Sequence, residues 1–320
     1  MNSKLNVAIQ MDPLEDLSLK GDTTFVLGLE AQQRDFEVFH YTPNDLFYKE
    51  GKVLAYVKSL KLSQTDEQER FSYGETEIKN LSSFDIILMR QDPPFNLSYI
   101  TATHLLEKVS KNTLVVNDPI SVRNAPEKIF VTNFFDIMPK TIITRNINEI
   151  RNFRNEFNDI IIKPLYGNGG EGIFHISKES DNFHSIIEMC FKQYKEQLVI
   201  QEYIPAVKNG DKRIILIDGE PVGAVNRIPP LGESRSNMHV GGKPEKTNLT
   251  KHDIKICKKI SKDLRDKNLF FVGIDVIGQF ITEINVTSPT GIREINRLNK
   301  INLEKVFWDK LEIKLSNHRS

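Results

Sequence analysis

Ile160-Ile161-Ile162-Lys163-Pro164, then Gly167-Asn168-Gly169-Gly170-Glu171-Gly172, then Ile173-Phe174-His175-Ile176 is the stretch on which the fold turns. The opening isoleucines have the composition of a buried strand, and a strand resumes directly behind the glycines. Glycine tolerates positive φ and lets backbone N–H groups close on a phosphate, so four glycines between 167 and 172 read as a phosphate loop. No Gly-Lys-Ser/Thr follows, unlike a P-loop, and no helix opens behind the glycines, unlike a dinucleotide fingerprint. A strand–loop–strand hairpin over a nucleotide's phosphates fits, with Lys163 as its charge partner. A flexible β-turn beside an exposed lysine is the plainer alternative.

Further along, Phe271-Val272-Gly273-Ile274-Asp275-Val276-Ile277 and Phe280-Ile281-Thr282-Glu283-Ile284-Asn285 read as neighbouring strands joined at Gly278. Asp275, Glu283 and Asn285 interrupt otherwise apolar strands, and burying an unpartnered carboxylate is costly. Two such groups together require a cation, and an oxygen-only set points to Mg²⁺ rather than Zn²⁺. Glu283 and Asn285 share a face by the two-residue strand period. A two-residue loop at Gly278-Gln279 would put Asp275 opposite Thr282 and away from Glu283. A three-residue loop through Phe280, or a bulge, would set Asp275 opposite Glu283, and this odd register is the expectation. Two solvated carboxylates on an exposed sheet face are the alternative, which the flanking isoleucines disfavour.

Upstream, residues 5–11, 37–41, 53–62, 85–89 and 113–116 read as strands, with another strand piece about Phe71. Residues 23–34, capped by Asp22 or Thr23, and 99–110 read as helices. This alternation implies a parallel sheet with functional loops at its strand ends. Asp12-Pro13, Arg90 to Pro94 and Asn117-Asp118-Pro119 end three of the strands. Singly they are loop terminators; together they read as a substrate rim. From about residue 124 a new pattern begins: helix 128–135, strand 139–144, helix 148–157, the glycine hairpin, helix 183–194 and strand 198–203. From Lys212 the chain is largely β up to a helix at 250–267, then two strands and a helical end. The expected units are 1–124, 125–204 and 205–320.

The chain's 320 residues suffice for two or three domains, and 43 basic against 43 acidic residues give no bulk charge for nucleic acid or membrane. Cys190 and Cys257 lack metal-type spacing and read as small core residues of a reducing compartment. The N-terminal apolar stretch is too short for a signal peptide, and no window holds the ~20 apolar residues of a membrane helix. A cytoplasmic protein is the expectation.

Several segments resemble bacterial-type glutathione synthetases: 271–275 followed by Thr282-Glu283-Ile284-Asn285-Val286-Thr287-Ser288-Pro289-Thr290, Met89-Arg90 with Asp92-Pro93-Pro94-Phe95, Gly210-Asp211-Lys212-Arg213, and Asp218-Gly219-Glu220-Pro221. Met11-Asp12-Pro13 and Leu29-Glu30-Ala31-Gln32 also fit, so the likeness runs in family order over almost the whole chain. The resemblance implies an ATP-grasp α/β (α+β) fold with an N-terminal Rossmann-like parallel-sheet domain. It implies an enzyme that makes glutathione from γ-glutamylcysteine, glycine and ATP. Lys128, Lys163 and the loop glycines Gly167, Gly169 and Gly170 would then hold the nucleotide phosphates. Gln201, Glu202, Tyr203 and Ile204 would form the adenine hinge, with Asp211 at the ribose. Asp275, Glu283 and Asn285 match the magnesium ligands, for two Mg²⁺ ions or Mn²⁺ in their place. Arg213 and Arg235 match catalytic positions, Arg235 within a closing loop at 228–242. Asp12, Arg90, Asp92, Arg227, Ser288 and Thr290 would contact the peptide substrate. The family likeness also implies a homo-oligomer, a dimer or a tetramer.

The chain departs from the family pattern at Asn168, Ser236 and Gly291, none of them an expected ligand. The seven histidines form no cluster, His239 reads as solvent-facing, and no general base is assigned. Two rivals remain in sequence terms. One is another ATP-grasp ligase, of the D-alanine–D-alanine or glutamate-tail kind; the other is a non-catalytic ATP-binding protein like the synapsins.

Overall fold

The computed structural model describes residues 4–17, 21–64, 70–233, 235–238 and 241–319. Seven strands form the first sheet: β1 (Asn6–Gln10), β2 (Glu37–Tyr41), β3 (Leu46–Lys49), β4 (Lys52–Leu62), β5 (Phe71–Asn80), β6 (Ile86–Met89) and β7 (Leu114–Val116). The order β2-β1-β6-β7 is parallel, as the alternation with α1 (Thr23–Gln33) and α2 (Leu97–Glu107) requires. The β3, β4 and β5 strands extend it as an antiparallel meander, with a tight turn at Glu50-Gly51 between β3 and β4. Asp22 caps α1 by accepting from the Phe25 N–H at 2.6 Å.

Two short helices follow, α3 (Pro119–Arg123) and α4 (Glu127–Phe130). The expected helix at 128–135 is therefore one α turn continued by a tighter 3₁₀ turn over Val131–Phe134. A second sheet, ordered β10-β9-β11-β8, holds β8 (Thr141–Thr144), β9 (Ile160–Pro164), β10 (Phe174–Ile176) and β11 (Leu198–Glu202). It is backed by α5 (Ile147–Phe157) and α6 (Phe183–Gln193), and its core of Ile150, Ile160, Ile162, Ile187 and Ile200 is its own. The third sheet is antiparallel, β14-β13-β12-β15-β16, from β12 (Asp211–Ile217), β13 (Glu220–Ile228), β14 (Lys243–Lys246), β15 (Phe271–Ile277) and β16 (Phe280–Asn285). Helix α7 (Lys251–Asp266) packs on it, and α8 (Ile292–Asn299) and α9 (Leu303–His318) close the chain.

The first and third sheets share cores rather than standing apart. One apolar cluster joins Tyr41, Met89 and Tyr99 to Val272 and Ile284, and another joins Ile9 and Leu27 to Ile215, Phe271 and Trp308. Helix α9 crosses back onto α1: the Trp308 indole N–H donates to the Leu27 carbonyl at 2.8 Å, and Arg34 pairs with Asp309 at 2.7 Å and Glu312 at 2.6 Å.

The loop at 117–119 corrects one expectation. Asn117 is a structural bracket, not a rim residue. Its amide donates to the carbonyls of Phe271 (2.8 Å) and Val286 (2.9 Å) and accepts from the Phe271 N–H (2.7 Å), while Asp118 caps α3. Asn117→Ala would leave three buried backbone groups unpaired, and a loss of roughly 3 kcal/mol or more in denaturant unfolding is expected. A wild-type midpoint would refute the bracket.

Candidate active site

The hairpin of β15 and β16 turns tightly at Gly278-Gln279, pairing Ile277 with Phe280 and Val276 with Ile281. A bulge then inserts Thr282, so that Asp275 pairs with Glu283 and Gly273 with Asn285. The odd register is thus present, made by the bulge and not by the loop. Thr282 supports it with a 3.3 Å hydrogen bond from its hydroxyl to the Asp275 carbonyl. The Asn285 amide reaches Asp275 Oδ2 at 3.5 Å, so these two side chains share a face.

Strand β12 brings Arg213 opposite Asp275, and the guanidinium grips the carboxylate with both arms, at 2.5 and 3.0 Å. Arg227, one strand further, lies 2.9 Å from the same carboxylate and 2.6 Å from Asp211. Burial alone would raise Asp275, but the two guanidiniums outweigh it and hold its carboxyl well below the usual range. Asp211 goes the other way, pushed up to about 6 chiefly by burial, with Arg227 opposing and the Asp275 charge adding. Such a carboxyl binds its proton more tightly when folded. Its contribution favours folding most below the ordinary 3.8 and is lost as pH rises to about 6. Asp211→Asn should remove that fall: urea midpoints on either side of the window should converge relative to wild type. An unchanged difference would show that Asp211 does not titrate there.

Two lysines meet the hairpin from the other domain elements. Lys163 on β9 and Lys128 on α4 are both buried, and each ammonium lies 3.8 Å from Glu283 Oε1. Lys163 donates to the Gln201 side chain at 3.1 Å, and Lys128 to the Gly167 carbonyl at 2.6 Å, which ties the glycine loop to the floor. Burial lowers Lys163, with Glu283 opposing. The β9–loop–β10 hairpin is antiparallel, as its sequence indicates.

These groups line a continuous site. A cleft of about 620 Å³ runs from the glycine loop past Lys128, Arg213, Glu283 and Asn285 to Ser288, Thr290, Asp22 and Glu294. Beside it a pocket of about 70 Å³ is walled by Ile161, Ile173, Ile204, Val207 and Ile277 and edged by Gln201, Glu202, Tyr203 and Asp211. Its apolar walls and strand-end backbone suit a flat heteroaromatic base. Among the described residues of the segment 228–242, Ser236 and Arg235 reach the junction: Ser236 donates to Asp211 at 2.9 Å and Arg235 to the Gly170 carbonyl at 3.4 Å. At Gly170, where φ is +84°, a Cβ would stand 2.8 Å from the Asn237 side chain. Arg235 pairs with Glu233 at 2.6 Å and is not brought to Asp275, unlike Arg213 and Arg227. His239 lies outside the described residues.

On the N-terminal side, Asp12 accepts from the Asp92 N–H at 2.7 Å, which joins two of the expected rim loops. Arg90 is buried in the wall: it donates to the Thr24 hydroxyl (3.0 Å) and the Pro289 carbonyl (3.1 Å), and its carbonyl accepts from Ser288 (3.0 Å). Arg213 reaches the Thr290 carbonyl at 3.3 Å.

Glu127 is a cleft residue that sequence reading passed over. An acidic residue in a helix's first turn is ordinary, so nothing local marked it. Its Oε1 accepts from the Thr287 hydroxyl at 2.9 Å, and burial pushes its carboxyl up, with Lys128 opposing. Among the described residues, no group of three or more His, Cys, Asp or Glu forms a metal cage. Two carboxylates and an amide nonetheless fit a hard ion of the Mg²⁺ type, which is bound by one or two carboxylates together with substrate phosphates.

Residues 5–123 match the family model for the prokaryotic glutathione synthetase N-terminal domain, and residues 127–300 that for its ATP-grasp domain. The chain is 53% identical over 309 residues to a glutathione synthetase of Agrobacterium fabrum, covering 97% of each chain. It is 41% identical to that of Escherichia coli K12, covering 97% of this chain and 99% of the relative. In fold it is similar to a D-cycloserine synthetase (TM-score 0.69, 12% identity, 97% and 99% covered) and to D-alanyl-alanine synthetase A of Vibrio cholerae (TM-score 0.63, 13% identity, 99% and 100% covered).

Proposed function

The chain belongs to the prokaryotic glutathione synthetase family, and from that premise we infer how its cleft joins γ-L-glutamyl-L-cysteine to glycine at the expense of ATP. It is an ATP-dependent carboxylate–amine ligase on the ATP-grasp fold. The observation that carries the residue assignment is the convergence of Lys128 and Lys163 on Glu283, opposite the Arg213–Asp275–Arg227 cluster.

A carboxylate resists an amine because its leaving group would be oxide. In the proposed reaction, ATP phosphorylates the cysteinyl carboxylate, and the resulting acyl phosphate offers a good leaving group. The glycine ammonium gives up one proton to solvent. Its free amine then forms the C–N bond as the C–O bond to phosphate breaks, and the second nitrogen proton leaves with the phosphate or to solvent. Phosphoryl transfer requires alignment and neutralised charge more than covalent help. Lys128, Lys163 and the backbone of Gly167, Gly169 and Gly170 hold the phosphates. The segment from Gln201 to Ile204 holds the base, and Asp211 lies on the ribose side. Arg213 and Arg227 face the transferring group. Asp12, Asp92, Ser288 and Thr290 border the peptide, and Arg90 shapes that wall from behind. Asp275, Glu283 and Asn285 would hold Mg²⁺, one ion or two, which supplies charge neutralisation on the phosphates. The loop at 228–242, with Arg235, keeps water from the acyl phosphate, which hydrolyses readily.

We place the functional units at 1–124, 125–204 and 205–320, in a cytoplasmic homo-oligomer whose size sedimentation would read. Release of ADP with γ-glutamylcysteine and glycine, each omitted in turn, tests the activity. Turnover that depends on both is expected. Turnover indifferent to glycine would overturn the reading, and turnover on D-alanine alone would favour the D-alanine-ligase rival.

A further inference from the structure

Glu127 stands where the main cleft meets a smaller apolar pocket of about 20 Å³, and lines both. Its Oε1 accepts from Thr287, and among the described residues no cation lies within ion-pair distance of either oxygen. The neighbouring Lys128 ammonium is directed elsewhere, to the Gly167 carbonyl at 2.6 Å and toward Glu283 at 3.8 Å. A half-buried carboxylate in such a wall is stabilised by a cation that meets it. The wall beside it is aromatic: Phe95 and Tyr166 stack with ring centroids 6.1 Å apart. A carboxylate next to aromatic faces is suited to an ammonium group.

We propose that Glu127, with Thr287 orienting its carboxylate and Phe95 and Tyr166 forming the wall, is the subsite for the ammonium group of the acceptor amino acid. This deepens the glutathione synthetase reading and rests on it. Two substrates carry ammonium groups, and the position of Glu127 decides between them. It lies where the two ends of the cleft meet: Lys128 and Gly167 and Asn168 of the glycine loop stand on one side, and Pro93, Phe95 and Thr287, which adjoin the peptide rim, on the other. The acceptor nitrogen must come to the phosphorylated carboxyl, and this is the carboxylate placed to hold it there. The pocket behind, about 20 Å³, has room for about one water-sized group beside the acceptor.

The test compares two acceptors on the full-length enzyme with ATP, Mg²⁺ and γ-glutamylcysteine. Glycine arrives as an ammonium, whereas hydroxylamine is largely uncharged at neutral pH and traps acyl phosphates as hydroxamates. Glu127→Gln should lower kcat/KM for glycine on the order of 10²-fold, mainly through KM, and leave hydroxamate formation near wild type. Glu127→Asp, which keeps the charge, should recover part of the glycine KM, and it carries the test if the glutamine variant fails to fold. Equal losses with both acceptors, or unchanged glycine kinetics in either folded variant, would overturn the subsite. Wild-type enzyme without glycine-dependent turnover would instead indict the ligase reading.

Discussion

An Asp275→Asn enzyme is expected to lose turnover on the order of 10³-fold and roughly 3–5 kcal/mol of folding stability. Asp275 is 2% exposed and is the shared partner of two buried guanidiniums, Arg213 at 2.5 Å and Arg227 at 2.9 Å. Neutralising it leaves two positive charges in a low-dielectric site with only Asp211 and Glu283 to answer them. Breaking a buried pair on one side costs more than deleting both partners, because the survivor remains desolvated. The double variant Asp275→Asn with Arg227→Met should therefore regain part of the lost stability, while turnover stays low. Urea unfolding and ADP release report the two quantities separately. A single variant of wild-type stability would show that the arginines hold each other's place without Asp275. A double variant that recovered turnover would show that the carboxylate serves only the fold.

Arg213→Met should lower kcat by about 10²- to 10³-fold with little change in the KM for ATP. Arg213 faces the cleft at the point where the glycine loop, Glu283 and Asn285 meet. Its charge is worth most when the phosphoryl group is in transit, and the ground-state nucleotide already has Lys128 and Lys163. The stability loss should be smaller than for Asp275→Asn, since Arg227 still covers the same carboxylate. Arg213→Lys restores the charge without the two-armed fork that meets Asp275 at 2.5 and 3.0 Å, so it should rescue little. A rise confined to the KM for ATP would reassign Arg213 to nucleotide binding. An unaffected kcat would leave it a structural role through the Thr290 carbonyl.

Much of this protein was legible in its residues. Period-two alternation put Glu283 and Asn285 on one face, isoleucine runs marked the buried strands, and glycines at 167–172 marked a hairpin rather than a helix start. Of the two caps expected, Asp22 or Thr23, it is Asp22 that caps α1, a choice within local reach because a cap bonds within three residues of itself. The order of family segments supplied the reaction. Other features escaped because their partners are remote in sequence. Asn117 is 154 residues from Phe271, Arg213 is 62 from Asp275, and Glu127 is 160 from Thr287. The separation of Arg235 from the Asp275 cluster, and the seating of Ser236 on Asp211, belong with them.

The hairpin at 271–285 divides the two kinds of knowledge most clearly. By itself the sequence determined that two carboxylates and an amide would sit in adjacent apolar strands, since side-chain alternation is a property of each strand alone. That Asp275 would face Glu283 was the expectation, but strand alternation could not secure it, because the two-residue turn at Gly278-Gln279 by itself gives the opposite answer. Only the tertiary structure decided it, by inserting Thr282 as a bulge. Register is chosen by what packs across the pair, and there the Arg213 and Arg227 charges reward the one alignment that brings Asp275 to them.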